Sequence, residues 1–402
     1  MDETKIPLPE ILKEAILELE EPILFRGIIN SNDCKTNWKL LEMDNFIKLT
    51  EDMPLAFRVG LNAKTSEPQW DIDCPVKMMT MMEFLDIVQN NNINNEKWYY
   101  FDYKYMHEWF KLKPEILKAV DWKPFGFDKS GEDSTLWIGS KGAHTNCHQD
   151  SYGCNLIAQL HGKKEWLLFP PNSGDDLKQT RVPYEESTIY SKINFFCPSK
   201  DDENEVLKFI ETPKLVILEP GDVLFVPKGW WHYVESLDTT LSVNIWLPLD
   251  SDDEARLKEA IVKLIMTRLG EGLPSAEDSD KFDSLQNSIL LIKECIKQCH
   301  QLEKKNNEEI FKKKKANWNP SKLAQEYPLH INKLLSLSKE ELKDFLINKR
   351  ERFSSSNDIN CSTIKAFSDK DDMYIVKSIV DTFCHSDVLD KIVKVLLTEN
   401  QC

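Results

Sequence analysis

The chain has 402 residues, 41% of them apolar and 29% charged, which is typical of a globular protein with a sizeable core. Its formal net charge of −16 argues against nucleic-acid binding, because phosphate contacts need a basic face. The opening "MDETKIPLPE" lacks the pattern of a signal peptide, and no apolar run is long enough to span a membrane. We therefore expect a cytoplasmic protein, with the nucleus as a second compartment, no membrane contact and ten reduced cysteines.

The N-terminal part of the chain mixes helical and strand patterns. "PLPEILKEAILELE" places four apolar residues on one helix face, whereas "PILFRG" and "LAFRVG" predict short strands that end at glycine. From Thr135 onward, short runs such as "TLWIGS", "NLIAQL" and "LSVNIWLP" alternate with Gly, Pro and Asp turns. This density of strands predicts a barrel core over residues 135–250, supported by helices and strands of residues 1–134. We interpret the acidic run "SKDDENE" as a loop between two strands.

The last third of the chain has helical patterns. Ser251 is predicted to cap one helix, and Ser338 with Glu341 forms the capping box of another. We expect residues 251–402 to form a helical region that covers the barrel, docks a partner or forms a homodimer. The lysine run at 312–315 is interpreted as a solvated helix face.

Two separated motifs together indicate a metal site. "GAHTNCHQDSYGCN" places His148 two residues before Asp150, so both side chains lie on one face of a strand. In "EPGDVLFVPKGWWH", a strand between two turns leads to His232 at the start of the next strand, as happens when a barrel returns a distant residue. Two histidines and one carboxylate on one face of a metal are the ligand set of non-heme Fe(II) oxygenases. We predict these three residues to be the metal ligands and the catalytic centre.

These motifs resemble the JmjC domain of the cupin superfamily. "GAHTNCHQDSYGCN", "RVPYEESTIYSKIN" and "VPKGWWHYVES" are most similar to the small heat-shock-protein-associated protein 1 family. The ligand pattern is also similar to that of the asparaginyl hydroxylase that inhibits hypoxia-inducible factor. The resemblance covers the first 250 residues and is thin beyond them. It implies an α+β fold with a double-stranded β-helix (jelly-roll) barrel, which uses Fe(II), 2-oxoglutarate and O₂.

The resemblance implies five further residues around the 2-oxoglutarate site: Thr145, Lys164, Asn155, Asn244 and Tyr99. The threonine and the lysine take positions that meet the distal carboxylate, with Lys163 as the alternative if the register shifts by one. The two asparagines match amides that line the site. Tyr99 is chosen to complete the carboxylate pocket, with Tyr100 and Tyr103 as alternatives. Compared with the asparaginyl hydroxylase, the loop after the second metal ligand has one extra residue and must bulge.

The resemblance implies an oxygenase that oxidises a C–H bond while 2-oxoglutarate is decarboxylated to succinate. A protein side chain is the expected substrate, and hydroxylation is favoured over histone demethylation because the sequence lacks a zinc-based chromatin reader. The alternative is a binding protein that associates with small heat-shock proteins in the stress response, with little or no catalysis. The complete ligand set and the lysine favour the enzyme.

Overall fold

The computed structural model describes residues 5–29, 37–89, 96–209, 212–270, 273–274, 285–309, 318–353 and 370–399. The lysine run at 312–315 lies outside these residues. The described residues form two antiparallel sheets flanked by helices at both ends of the chain, so the predicted α+β jelly-roll fold is confirmed. Among these residues, no helix combines the length and the apolar character that a membrane span requires.

The strands and helices divide into three stretches of the chain. The first contains α1 (Pro9–Glu18), β1 (Ile23–Arg26), α2 (Met43–Thr50), β2 (Leu55–Leu61), β3 (Val76–Met79), α3 (Met81–Gln89), β4 (Lys97–Tyr105), α4 (Met106–Trp109) and α5 (Pro114–Ala119). The second contains β5 (Thr135–Gly139), β6 (His144–Asp150), β7 (Cys154–His161), β8 (Lys164–Phe169), β9 (Gln179–Thr180), β10 (Thr188–Ser191), α6 (Lys200–Phe209), β11 (Lys214–Leu218), β12 (Asp222–Val226), β13 (Trp231–Ser236) and β14 (Thr240–Leu247). The third contains α7 (Asp252–Leu269), α8 (Leu285–Glu309), α9 (Pro320–Glu326), β15 (Ile331–Lys333), α10 (Lys339–Glu351), α11 (Lys370–Phe383) and α12 (Ser386–Glu399).

The two sheets exchange strands along the chain. One sheet has the order β15-β1-β12-β7-β14-β5-β4-β2-β3, and the other has the order β11-β8-β13-β6-β10-β9. Neighbouring elements such as β7 and β8 therefore lie in different sheets. Strand β14 shows how side chains are sorted, because Val243 and Ile245 enter the hydrophobic core while Asn244 and Trp246 line a cavity between the sheets.

Strands from outside the predicted core extend its sheet. Strand β1 pairs with β12, with Phe25 opposite Val223, and β15 pairs with the other edge of β1. Helix α1 buries Leu12, Ala15 and Ile16 in the same core, as its periodicity predicts. The proposed boundaries at 134 and 250 thus cross a continuous sheet, and they stay predictions.

The helix ends follow the sequence signals in two cases and contradict our interpretation in a third. Helix α7 begins after Ser251, although the side chain of this serine makes no capping hydrogen bond, and the Ser338–Glu341 capping box of α10 is formed as predicted. The prediction of a loop at "SKDDENE" is wrong, because this run begins helix α6. Ser199 and Asp202 exchange backbone-to-side-chain hydrogen bonds of 3.0 Å at its start. This capping box was present in the sequence, and the acidic residues occupy the first turn, where the helix dipole favours negative charge.

Candidate metal centre

The structure brings the three predicted metal ligands together at the cavity between the sheets. His148 and Asp150 lie on β6, His232 lies on the neighbouring strand β13, and the register places His148 directly opposite His232. One ligand atom from each residue lies within 4.8 Å of the other two. The Nε2 atom of His148 is 3.6 Å from Oδ1 of Asp150. These residues therefore fit a divalent metal bound by two imidazoles and one carboxylate.

Backbone carbonyls hold both imidazoles in the orientation that a metal needs. The Nδ1 atom of His148 is 2.9 Å from the Asn146 carbonyl, and Nδ1 of His232 is 3.0 Å from the Trp230 carbonyl. With Nδ1 as the donor, Nε2 of each ring is left as a lone-pair donor to metal. Burial, followed by the charge of His148, lowers the pKa of His232 to about 4 and keeps this imidazole neutral.

The carboxylate ligand is held by a tryptophan that is not among the predicted site residues. Trp246 Nε1 donates a 3.0 Å hydrogen bond to Oδ2 of Asp150. Burial by itself raises the pKa of Asp150, but the hydrogen bond from His148, the charges of the imidazoles and the Trp246 bond outweigh it and lower this pKa to about 2. The sequence did carry a signal for Trp246, because it follows Asn244 by two residues on the same strand face.

Lys164 lies in the same cavity as the metal ligands. Its side chain is 2% exposed, and its Nζ donates hydrogen bonds to Tyr100 Oη (3.1 Å) and Ser242 Oγ (2.9 Å). Burial lowers the pKa of Lys164 to about 7, and the charge of Asp102 opposes this shift. The alternative, Lys163, pairs with Glu219 at 2.5 Å on the surface and does not line the cavity.

A bulge in β6 lets Thr145 share the cavity with His148. The two residues are three positions apart, so a regular strand would place them on opposite faces. They pair with Val234 and His232, which are only two positions apart on β13. The extra residue in β6 turns Thr145 toward the cavity, which it lines.

The two predicted asparagines also meet in the cavity. Asn244 Nδ2 donates a 2.8 Å hydrogen bond to Oδ1 of Asn155, and Asn244 Oδ1 accepts one of 2.7 Å from Trp137 Nε1. The loop before Asn155 turns at Gly153, whose φ is +75°. The amide of this glycine donates to both carboxylate oxygens of Asp252 at 3.0 and 3.1 Å, which holds the loop against α7.

The choice of Tyr99 requires a correction. Successive residues of a regular strand face opposite sides, so Tyr99 packs against the hydrophobic core while Tyr100 lines the cavity. The register shift in β4 between Phe101 and Lys104 lets Tyr103 line the cavity as well. Of the two tyrosines in the lining, Tyr100 contacts Lys164 directly. Trp98 and Tyr100 belong to one hydrophobic cluster, and Tyr99 packs against a different one. The register of the sheet therefore decides which tyrosine reaches the site.

Carboxylates that sequence reasoning missed lie at the cavity wall. We call Asp71, Asp102 and Glu185 the acidic rim, because all three line the cavity beside the metal ligands. Asp71 comes from the connection between β2 and β3, Asp102 from β4 and Glu185 from the connection between β9 and β10. These segments are distant in sequence and have no motif in common, so only the fold assembles them.

Helix α7 contacts the site through a second buried carboxylate as well. Glu259 pairs with Arg181 at 2.5 Å, and their side chains are 4% and 3% exposed. It also accepts hydrogen bonds from Ser151 Oγ (2.7 Å) and from the Ser187 amide (3.1 Å). Ser151 directly follows the ligand Asp150, so the C-terminal helical region supports the strands that carry the site.

The protein comparisons agree with this geometry. The family described as "Cupin-like domain" matches residues 9–252, which is more than half of the chain. HSPB1-associated protein 1 of Rattus norvegicus is 40% identical over 273 residues, covering 65% of this chain and 56% of that protein. The Homo sapiens protein of the same name is 39% identical over 273 residues, covering 65% and 54%.

A more distant relative is Lysine-specific demethylase 8 of Xenopus tropicalis, which is 26% identical over 251 residues, covering 60% of this chain and 51% of that protein. The chain thus spans about half the length of these curated relatives. The resemblance predicted from the metal-site motifs is confirmed. The two-sheet barrel, the gathered ligands and the match to residues 9–252 lead to one conclusion: the chain belongs to the cupin-like domain family, with the JmjC proteins among its relatives.

Proposed function

We propose that the protein is an Fe(II)- and 2-oxoglutarate-dependent oxygenase of the JmjC type that hydroxylates a protein side chain. The observation that carries the proposal is the presence of the His148, Asp150 and His232 cluster and the buried Lys164 in one cavity. A metal site alone fits many chemistries. A buried cation beside it supplies the partner that a second, anionic ligand needs when it leaves water.

The residues of the chain have distinct roles in this proposal. When bound, Fe(II) with 2-oxoglutarate and O₂ supplies the oxidation of a C–H bond, and 2-oxoglutarate is converted to succinate and CO₂. His148, Asp150 and His232 would hold the metal. Lys164 and Tyr100 bind the distal carboxylate of 2-oxoglutarate.

The surroundings of these residues support the same roles. Thr145 and Tyr100 both line the cavity, and Thr145 adds a hydroxyl to the carboxylate pocket. Asn155 and Asn244 present amide groups to the wall of the co-substrate site. The aromatic lining excludes water from the reacting atoms, which strengthens every electrostatic contact in the cavity.

Anaerobic binding of Fe(II) and 2-oxoglutarate tests the proposal, followed by succinate formation with candidate substrate proteins. His232→Ala should lower Fe(II) affinity by more than about 100-fold, because removing even an outer-shell partner of a ligand costs about 10–100-fold. His107→Ala is the matched control, since His107 is exposed and does not line the cavity. If wild type and His232→Ala bind Fe(II) and 2-oxoglutarate equally poorly, the oxygenase proposal is wrong.

A second candidate function is binding to a small heat-shock protein. The rat and human relatives are named for association with HSPB1, and helix α11 exposes Tyr374, Ile375 and Phe383 on its surface. Binding to purified HSPB1 would be measured for wild type and for His232→Ala. Equal binding by both would support a scaffold role that is independent of catalysis, and no binding by either would contradict this candidate.

A further inference from the structure

A lysine lies on the buried face of helix α10. Leu342 and Leu346 occupy that face and pack in the hydrophobic cluster that also contains Tyr100. Lys349 follows Leu346 by three residues, so it lies on the same face, and it is 7% exposed. A buried ammonium is costly unless carboxylates surround it. Helix α10 lies beyond residues 9–252, so this lysine belongs to a part of the chain that the cupin-like match does not cover.

Lys349 reaches two carboxylates on the strands that carry the site. Its Nζ lies 2.6 Å from Oε1 of Glu165 and donates a 2.7 Å hydrogen bond to Oε2 of Glu235. Glu165 directly follows Lys164 on β8, and Glu235 lies three residues after His232 on β13. Helix α10 therefore contacts the outer faces of two strands whose inner faces carry the co-substrate lysine and a metal ligand.

The two glutamates lie opposite each other in the pairing of β8 with β13. Glu165 pairs with Glu235, and the next pair contains Lys164. Like charges directly opposite each other on adjacent strands destabilise the pairing, and burial increases their repulsion. This repulsion would act one position away from Lys164, whereas the pair that contains His232 lies three positions away.

The two glutamates differ in the partners that they have besides Lys349. Glu235 also accepts a 2.5 Å hydrogen bond from Arg352 Nη1 and one of 2.6 Å from Tyr233 Oη. Burial by itself raises the pKa of Glu235, but the charges of Lys349 and Arg352 outweigh it and lower this pKa to about 2. Within the described part of the chain, Lys349 is the one cation in ion-pair contact with Glu165. Without Lys349, Glu165 would be a buried, unpaired charge opposite Glu235.

Resting on the proposed oxygenase function, we propose that Lys349 is a positioning residue of the 2-oxoglutarate site. Its charge neutralises Glu165 and Glu235, which keeps β8 in register beside β13 and keeps Lys164 in place for the distal carboxylate. Lys349 does not line the cavity and acts through the two strands. The C-terminal helical region thereby takes part in co-substrate binding through a residue outside the barrel.

Two binding measurements test the inference without any turnover. Binding of 2-oxoglutarate to the Mn(II)-loaded protein would be measured anaerobically by calorimetry, and Mn(II) binding by a separate titration. Lys349→Met removes the charge at similar length and should weaken 2-oxoglutarate by about tenfold, because a small displacement of a binding group has a large effect. Mn(II) affinity should fall by less than about threefold, because His232 is farther from the repulsion than Lys164.

Removing one glutamate separates the repulsion from a loss of packing. In Glu165→Gln, and in the double variant Lys349→Met with Glu165→Gln, two carboxylates no longer face each other. Both variants should bind 2-oxoglutarate within about threefold of wild type. If Lys349 had only a structural role, the second substitution would not restore affinity, because it removes no clash and restores no contact. If Lys349→Met does not fold, Lys349→Gln replaces it in both comparisons, with the same expected rescue, since its amide still donates to one carboxylate.

Arg350→Met is the matched control. It removes the same charge one residue along α10, where Arg350 pairs with Glu203 of α6, which does not line the cavity. This variant should leave the affinity for 2-oxoglutarate unchanged. Urea unfolding of Arg350→Met and Lys349→Met shows whether a loss of stability alone is accompanied by a loss of affinity.

Four results would overturn the inference: unchanged 2-oxoglutarate affinity in Lys349→Met, an equally large loss of Mn(II) affinity, no rescue by Glu165→Gln, or an equal loss in Arg350→Met. If wild type binds Mn(II) and 2-oxoglutarate and one of these results is found, the positioning inference fails while the oxygenase proposal stands. If wild type binds neither, the oxygenase proposal itself fails.

Discussion

Raising the pH above 7 should weaken 2-oxoglutarate binding through Lys164. This lysine is 2% exposed, and burial lowers its pKa to about 7, with the charge of Asp102 opposing the shift. Below pH 7 the ammonium is already formed and can receive the distal carboxylate. Above pH 7 the amine is mostly neutral, so the dianion binds only with uptake of a proton. The affinity for 2-oxoglutarate should therefore fall by about 50-fold between pH 7 and pH 9. The free energy of binding then weakens by up to about 1.4 kcal/mol per pH unit.

Calorimetry in two buffers of different ionisation enthalpy measures that proton directly. With a pKa of about 7, binding should take up about 0.9 proton at pH 8 and about 0.1 at pH 6. Lys164→Arg keeps its charge at every pH tested, so its affinity should be flat and its proton uptake near zero. Asp71→Asn and Glu185→Gln remove two carboxyls of raised pKa that line the cavity, and both variants should keep the proton uptake at pH 8. No uptake by wild type at pH 8, or the same uptake by Lys164→Arg, would refute the reasoning.

Three further substitutions test individual contacts. Trp246→Phe removes the hydrogen bond to Asp150 and should lower metal affinity by about tenfold in a Mn(II) titration. Unchanged affinity would contradict the role of Trp246 in holding the carboxylate ligand. Tyr100→Phe should weaken the binding of 2-oxoglutarate by about tenfold, measured by calorimetry, whereas Tyr99→Phe should leave it unchanged. The opposite ranking would support Tyr99 as the tyrosine of the carboxylate pocket. Glu259→Ala leaves a buried arginine unpaired and should reduce stability by about 3–5 kcal/mol in urea unfolding; a loss below about 1 kcal/mol would show that the pair behaves like a surface contact.

The sequence by itself determined the features that depend on nearby residues. The capping box at Ser338, the apolar face of α1 and the strand runs from Thr135 are local patterns, and the structure has all three. The spacing of His148 and Asp150 puts two ligands on one strand face, whatever that strand pairs with. The helix at "SKDDENE" was equally readable from its Ser-x-x-Asp cap, and we missed it because the run is so acidic.

Tertiary structure decided which side chains meet. The bulge that turns Thr145 toward His148 exists only in the pairing of β6 with β13, and no local pattern marks it. Which residues of β4 face the cavity likewise depends on the pairing of β4 with its neighbouring strands, so the sequence alone did not distinguish among Tyr99, Tyr100 and Tyr103.

The acidic rim is the extreme case of this dependence. Asp71, Asp102 and Glu185 come from three separate segments, and each resembles an ordinary surface acid in the sequence. Local patterns encode helices, strands and the ligand pair because these need only short-range geometry. The tyrosine contact, the support from α7 and the negative charge of the cavity wall arise from strand order and packing between residues far apart in the chain.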